Sequence, residues 1–348
     1  MILRGFTVLL IFSASVSLLS CGNIGNKNKE SGNSDSLQSS TSPAIKSEPV
    51  DGFRIRRYEV ALFELNRNEL AGELKKLQPE FSIFLGDGNF SQADIRQIND
   101  FVSDANNREA YNMVMKKFPD LKKLTLQLKN AFDNYSRETG QELQPKTYTY
   151  VSGYDFQYPV KYADSVMIIG LDLFLGRDFD MYKKMGVPLY ISNRFTPDHI
   201  VPDCVKEMAY PLIPEKQGTY NLLEAMIEQG KLMYFTSRIL PDVSKHLIIG
   251  FEPEQLSWCK DNEGNLWQFI IENELLYSSD SKAMSMFMVD GPFTSSFSDQ
   301  SPARTGVWLG WQIVESYMKR NKVSLITMMA NTNSREILEK SGYKPARK

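Results

Sequence analysis

At 348 residues, with 42% hydrophobic and 24% charged residues, the chain has the composition of a soluble globular protein and enough length to bury a substantial core. A net charge of −2 provides no basic footprint, so nucleic acid is not an expected partner. Two histidines, His199 and His246, exclude a histidine-rich metal site.

The N-terminus reads as a targeting segment. Arg4 precedes an uncharged, mostly apolar run from Phe6 to Leu19, too short for an ordinary membrane span. Leu18-Leu19-Ser20-Cys21 resembles a bacterial lipobox, in which the cysteine after a small residue receives lipid. Residues 1–20 are then a lipoprotein signal peptide, and Cys21 is the lipidation site. The alternatives are a plain signal peptide or an uncleaved anchor. Residues 21–50 are rich in Ser, Asn, Gly and Lys and read as a flexible tether. Residues 51–348 are expected to form a single globular domain.

Residues 54–78 suggest an entry strand and then one helix, with Phe63, Leu70, Leu74 and Leu77 on a common face. Ser91-Gln92-Ala93-Asp94 is a capping-box start for a helix with Ile95, Ile98, Phe101 and Val102 as its apolar face. Asn107 to Lys117 predicts another helix. Leu121, Leu124, Leu128, Phe132 and Tyr135 predict a long amphipathic one that stops near Gly140. The portion 54–140 is therefore a helical scaffold. Strands are expected at Tyr148 to Ser152, at Ser165 to Leu175 and at Leu189 to Ile191, as a small antiparallel sheet. Helices follow at about 203–213, 219–238, 253–260, 264–277 and 303–320, and at Asn331 to Lys340. The fold class is α+β, mostly helical.

Few residues carry chemistry on sight. His199 reads first as a helix-entry residue and second as a catalytic one. Asp172 lies in an apolar run, where an acid faces a cleft or caps a loop. Cys204 and Cys259 either pair or remain as two buried thiols. No phosphate-binding glycine loop is present: Gly86-Asp87-Gly88 is followed by no P-loop lysine.

The most informative stretch is Lys206-Glu207-Met208-Ala209-Tyr210. It resembles the H-E-x-x-H helix of zincin proteases, with Glu207 at the general-base position and Lys206 and Tyr210 at the two histidine positions. Gln229, beside Glu228, stands 19 residues after Tyr210, where Glu-type zincins place their third ligand. An ammonium, a phenol and a carboxamide are poor zinc ligands, so the resemblance implies a zincin-like fold with a degenerate cleft, no metal and no cofactor. Lys206 is expected to pair with Glu207 or Glu228 and so hold the cleft open.

The lipobox, the Gly170-to-Gly176 strand region, Lys206 to Tyr210, Glu228-Gln229-Gly230-Lys231-Leu232-Met233-Tyr234 and Gly306-Val307-Trp308-Leu309-Gly310-Trp311-Gln312-Ile313-Val314 together resemble the GldB family of gliding-motility lipoproteins of Bacteroidetes. This resemblance implies a cell-envelope lipoprotein, anchored to a membrane through Cys21, with protein partners in the gliding and type IX secretion machinery and no enzymatic activity. Two other readings stay open: a peptidase with unorthodox ligands, and a lipoprotein that binds carbohydrate or another nutrient.

Overall fold

The computed structural model describes residues 49–291 and 301–345. The lipobox, Cys21 and most of the tether lie outside the described residues.

The chain enters through a short strand, β1 (Ile55–Arg57), and a run of helices follows: α1 (Tyr58–Phe63), α2 (Leu70–Leu85), α3 (Gln92–Ser103), α4 (Ala105–Lys117) and α5 (Lys122–Thr139). The single helix expected over 54–78 is two. Asn66 interrupts it by accepting a hydrogen bond from the Asn68 N–H, which starts a 3-10 turn at Arg67–Glu69. Asp94 and Ser91 form the expected reciprocal capping box at the start of α3. Gly140 ends α5 with φ +72°, a left-handed cap that glycine adopts at little cost.

Three further strands follow, β2 (Lys146–Tyr150), β3 (Val160–Ala163) and β4 (Val166–Gly170). The sheet order is β1-β2-β4-β3, with β1/β2 and β2/β4 parallel and only β3/β4 antiparallel. The expectation of an antiparallel sheet is thus corrected to a mixed one. The helices between β1 and β2 form a crossover long enough to bring the chain back in the same direction. The tight link is Asp164-Ser165, where φ values of +49° and +61° make a hairpin turn whose twist matches the strands.

The remainder is helical: α6 (Asp180–Lys184), α7 (Leu189–Ser192), α8 (Ile200–Ala209), α9 (Leu222–Ile239), α10 (Lys245–Ile249), α11 (Pro253–Glu272), α12 (Ser281–Met288), α13 (Thr305–Arg320), α14 (Leu325–Ala330) and α15 (Ser334–Ser341). Leu189 to Ile191 is therefore a helical turn after Pro188, not a third strand. The two helices expected over 253–277 are one, α11, which carries Gly264 through a buried position. Among the described residues no helix is long and apolar enough to cross a membrane.

A single apolar cluster runs from Phe53 to Ile337. Its tightest point is the crossing of α9 and α13. A Cβ added to Gly310 would sit 1.8 Å from the Met226 carbonyl oxygen, and one added to Gly230 would sit 2.3 Å from the Gly310 backbone. The glycines of these two segments let the helix backbones touch. Asp172 likewise serves packing. Fully buried in a 3-10 turn after β4, it accepts bonds from the Ser152 N–H (2.9 Å), the Ser152 hydroxyl (2.8 Å) and the Tyr154 N–H (2.9 Å). It caps a loop and does not face a cleft.

Candidate functional site: a charged cavity beside the glycine crossing

Helix α8 is shaped at both ends by proline. Pro202 falls in its first turn, where backbone N–H groups have no intrahelical partner. Pro211 removes the bond that would continue it, and the chain tightens into a 3-10 turn at Tyr210–Leu212. Val201, Cys204, Val205 and Met208 bury one face. Asp203, Lys206, Glu207 and Tyr210 therefore share the other, at spacings of three and four residues. Helix α9 begins with a capping box in which the Asn221 side chain accepts from the Glu224 N–H (3.0 Å) and the Glu224 carboxylate accepts from the Asn221 N–H (2.9 Å). That start fixes the rotation that turns Glu228 and Gln229 toward α8.

Between them lies a cavity of about 510 Å³. Lys206 and Tyr210 of α8 line it together with Glu228 and Gln229 of α9, so four of the residues singled out in the sequence meet there. Glu207, on the same face of α8, does not line it. Burial raises the Tyr210 hydroxyl from its ordinary value, and the neighbouring Gln229 side chain opposes that rise.

The expected pairing of Lys206 is corrected. Its ammonium donates to Asp203 (2.9 Å), three residues back on the same helix. Glu228 instead accepts from the Tyr220 hydroxyl (2.7 Å). Sequence reasoning also missed three further charges. Arg194, just after α7, donates to Asp290 (3.0 Å), and Arg304 reaches the other oxygen of Asp290 (3.3 Å) while donating to the Ile249 carbonyl. Asp203 was detectable from its helical spacing to Lys206. Arg194, Asp290 and Arg304 come from separate segments and left no local pattern.

Three cations thus face three carboxylates around the cavity: Arg194, Lys206 and Arg304 against Asp203, Glu228 and Asp290. Burial lowers the Lys206 ammonium from its ordinary value, and Asp203 opposes that shift. Burial raises the Glu207 carboxyl to about 7; Asp203 adds to the rise and Lys206 opposes it. At neutral pH Glu207 is partly protonated.

The other candidate groups do not line the cavity. His199 is buried, with Nδ1 2.8 Å from the Thr196 hydroxyl, and burial lowers it to about 4. Cys204 and Cys259 are both free and buried, and burial pushes both thiols up, away from the reactive thiolate. Among the described residues no three His, Cys, Asp or Glu side chains group to hold a metal ion. Lys231 lies within the second sequence segment but faces away from the cavity. It is buried and donates to the Met329 (3.2 Å) and Asn331 carbonyls at the end of α14, the favoured end of a helix for a cation.

No curated protein and no solved structure matches the chain. One family model does, described as gliding motility protein GldB, and it spans residues 38–345. That range takes in the sheet, the charged cavity and the α9/α13 crossing, and the chain belongs to this family of gliding-motility lipoproteins.

Proposed function

We propose that the chain is a lipid-anchored component of the cell envelope that serves gliding motility by binding, not by catalysis. In this reading Cys21 carries the lipid, and the charged cavity receives a peptide segment of a protein partner in the gliding and type IX secretion machinery. The helices α8 and α9 are read as a zinc-protease frame from which the ligands have been lost at Lys206, Tyr210 and Gln229.

One observation carries the reading. Six charged side chains from five stretches of chain surround an open cavity of about 510 Å³, and each already has a partner within the protein. Such a recess can exchange internal pairs for a partner's charges, which gives specificity more readily than raw affinity. The competing enzymatic reading rests on Glu207, whose carboxyl at about 7 suits general acid–base work.

Complementation of a deletion strain separates the two. A Glu207→Gln copy is expected to restore colony spreading. A Gln229→Trp copy, which fills the cavity, is expected to fail while remaining folded and abundant. Loss of spreading with folded, abundant Glu207→Gln protein would overturn the binding reading in favour of chemistry.

A further inference from the structure

The N-terminal half contains a second cavity, of about 400 Å³, bounded by α1, the α2–α3 turn, α3 and the end of β2. Six aromatic rings line it: Tyr58, Phe63, Phe84, Phe90, Phe101 and Tyr150. Among the described residues no lysine, arginine or histidine does. Its size is that of a small-molecule site; Arg108 already lies over Phe63 (5.2 Å) and Lys161 over Tyr150 (5.6 Å), and the other four rings remain to attract a cation through their negative faces.

Its carboxylates divide into two kinds. Glu59 is fully buried and already neutralised: it accepts from the Arg57 guanidinium (2.7 Å) and the Thr149 hydroxyl (2.8 Å). Asp87 and Asp94 are exposed at the cavity's edge. Among the described residues Asp87 accepts only from Asn89 and Asp94 only from Ser91, and neither has a cationic partner. Two negative charges are thus left uncompensated at the entrance of an aromatic recess.

An independent observation lies deeper. Tyr58 lines the cavity and is 7% exposed, yet its hydroxyl has no hydrogen-bond partner among the described residues. The ring is buried, but the hydroxyl itself stays accessible and is open to a bond from a ligand.

We propose that this cavity binds a small soluble amphipathic cation, an amine or quaternary ammonium on an apolar body. The charge sits at the Asp87 and Asp94 entrance, and the body lies among the rings. The site is separate from the charged cavity of α8 and α9 and shares no lining residue with it.

The test uses the full chain in detergent and three probes of one shape: phenethylamine (cationic at neutral pH), 2-phenylethanol (neutral) and phenylacetate (anionic). Affinities are measured by ligand-observed NMR titration. Phenethylamine is expected to bind about tenfold more tightly than 2-phenylethanol, and phenylacetate more weakly than either. In Asp87→Asn/Asp94→Asn that preference should fall by about three- to tenfold with 2-phenylethanol unchanged; asparagine keeps an acceptor oxygen for the Ser91 N–H of the α3 capping box, so circular dichroism should be unaltered. Equal binding of cation and alcohol by the wild-type chain, or no binding of phenethylamine at all, overturns the proposal.

Discussion

The two cavities rest on opposite kinds of floor. Beneath the aromatic cavity lies a buried ion pair, Arg57 with Glu59, whose side chains are 2% and 0% exposed. Beside the charged cavity lies a contact with no side chains at all, the crossing of α9 and α13 at Gly230 and Gly310. In the first case polar groups are sealed in and an apolar surface is left open. In the second, bare backbone is sealed in and the charges are left open. The lesson concerns the conspicuous sequence segments. In Glu228-Gln229-Gly230-Lys231, Glu228 and Gln229 face the cavity, while Gly230 and Lys231 serve packing and a helix end. Neighbouring residues of one segment thus do unrelated jobs.

The sharpest way to break this contrast is Gly310→Ala. Its new methyl would lie 1.8 Å from the Met226 carbonyl, so the two helices must separate. We expect a loss of about 4 kcal/mol or more, beyond the usual range of point mutations, with the charged cavity deformed as α9 moves. Chemical denaturation measures it. A loss below about 1 kcal/mol would mean that the crossing relaxes freely and does not position Glu228 and Gln229.

Next in size is Arg57→Met, at the other floor. Removing one partner leaves the Glu59 carboxylate buried without its cation, with only the Thr149 hydroxyl still bonded to it. The expected cost is about 3 kcal/mol. The double variant Arg57→Met/Glu59→Gln should recover part of it, because no charge is then stranded. A double variant as unstable as the single one would show that the pair matters through packing alone.

How much of this was legible beforehand depended on whether a signal was local. The capping box at Ser91 and Asp94, the apolar face of α5 and the polar face of α8 all follow from spacing within one helix. The meeting of Lys206 and Tyr210 with Glu228 and Gln229 joins two helices, so no spacing within one helix gave it; only the resemblance to the zincin frame suggested it. Parallel strand pairing is different: it depends on how a long helical crossover returns, and no residue of β1 or β2 encodes that direction. The same limit hid Asp290, which joins Arg194 and Arg304 across long stretches of chain. Leu189 to Ile191 misled because three residues with strand-like composition are too few to outweigh the Pro188 that starts a helical turn.

Glu207 offers a smaller, pH-dependent effect. Its carboxyl titrates at about 7 in the folded chain against an ordinary 4.5, so the folded state holds the proton more tightly. Stability from this group is fully present below pH 4.5 and is lost as pH rises to about 7. His199 acts in the opposite sense: lowered to about 4 from 6.5, it adds stability as pH rises through that window. The two slopes offset each other in the wild-type chain. Glu207→Gln removes the first, so its stability relative to wild type should grow between pH 4.5 and 7 by on the order of 1–3 kcal/mol. A difference that stays constant with pH would place Glu207 in contact with water rather than in the half-buried setting described.

The smallest effect is expected at the residue that first drew attention. Lys206 and Asp203 form an ion pair with side chains 17% and 29% exposed, three residues apart on one helix. Such partly solvated pairs contribute about 1 kcal/mol or less. Replacement by methionine keeps the length of the Lys206 stem, and Asp203 remains within the field of Arg304, whose charge it already favours. Lys206→Met should therefore shift the denaturation midpoint only slightly, by about 1 kcal/mol at most. Its effect on colony spreading is expected to exceed its effect on stability, because it removes one of the three cations facing the cavity. A stability loss above about 2 kcal/mol would reverse the contrast between the two cavities: the charged one would then be closed like the Arg57–Glu59 floor, with its ions sealed in and nothing left to exchange with a partner.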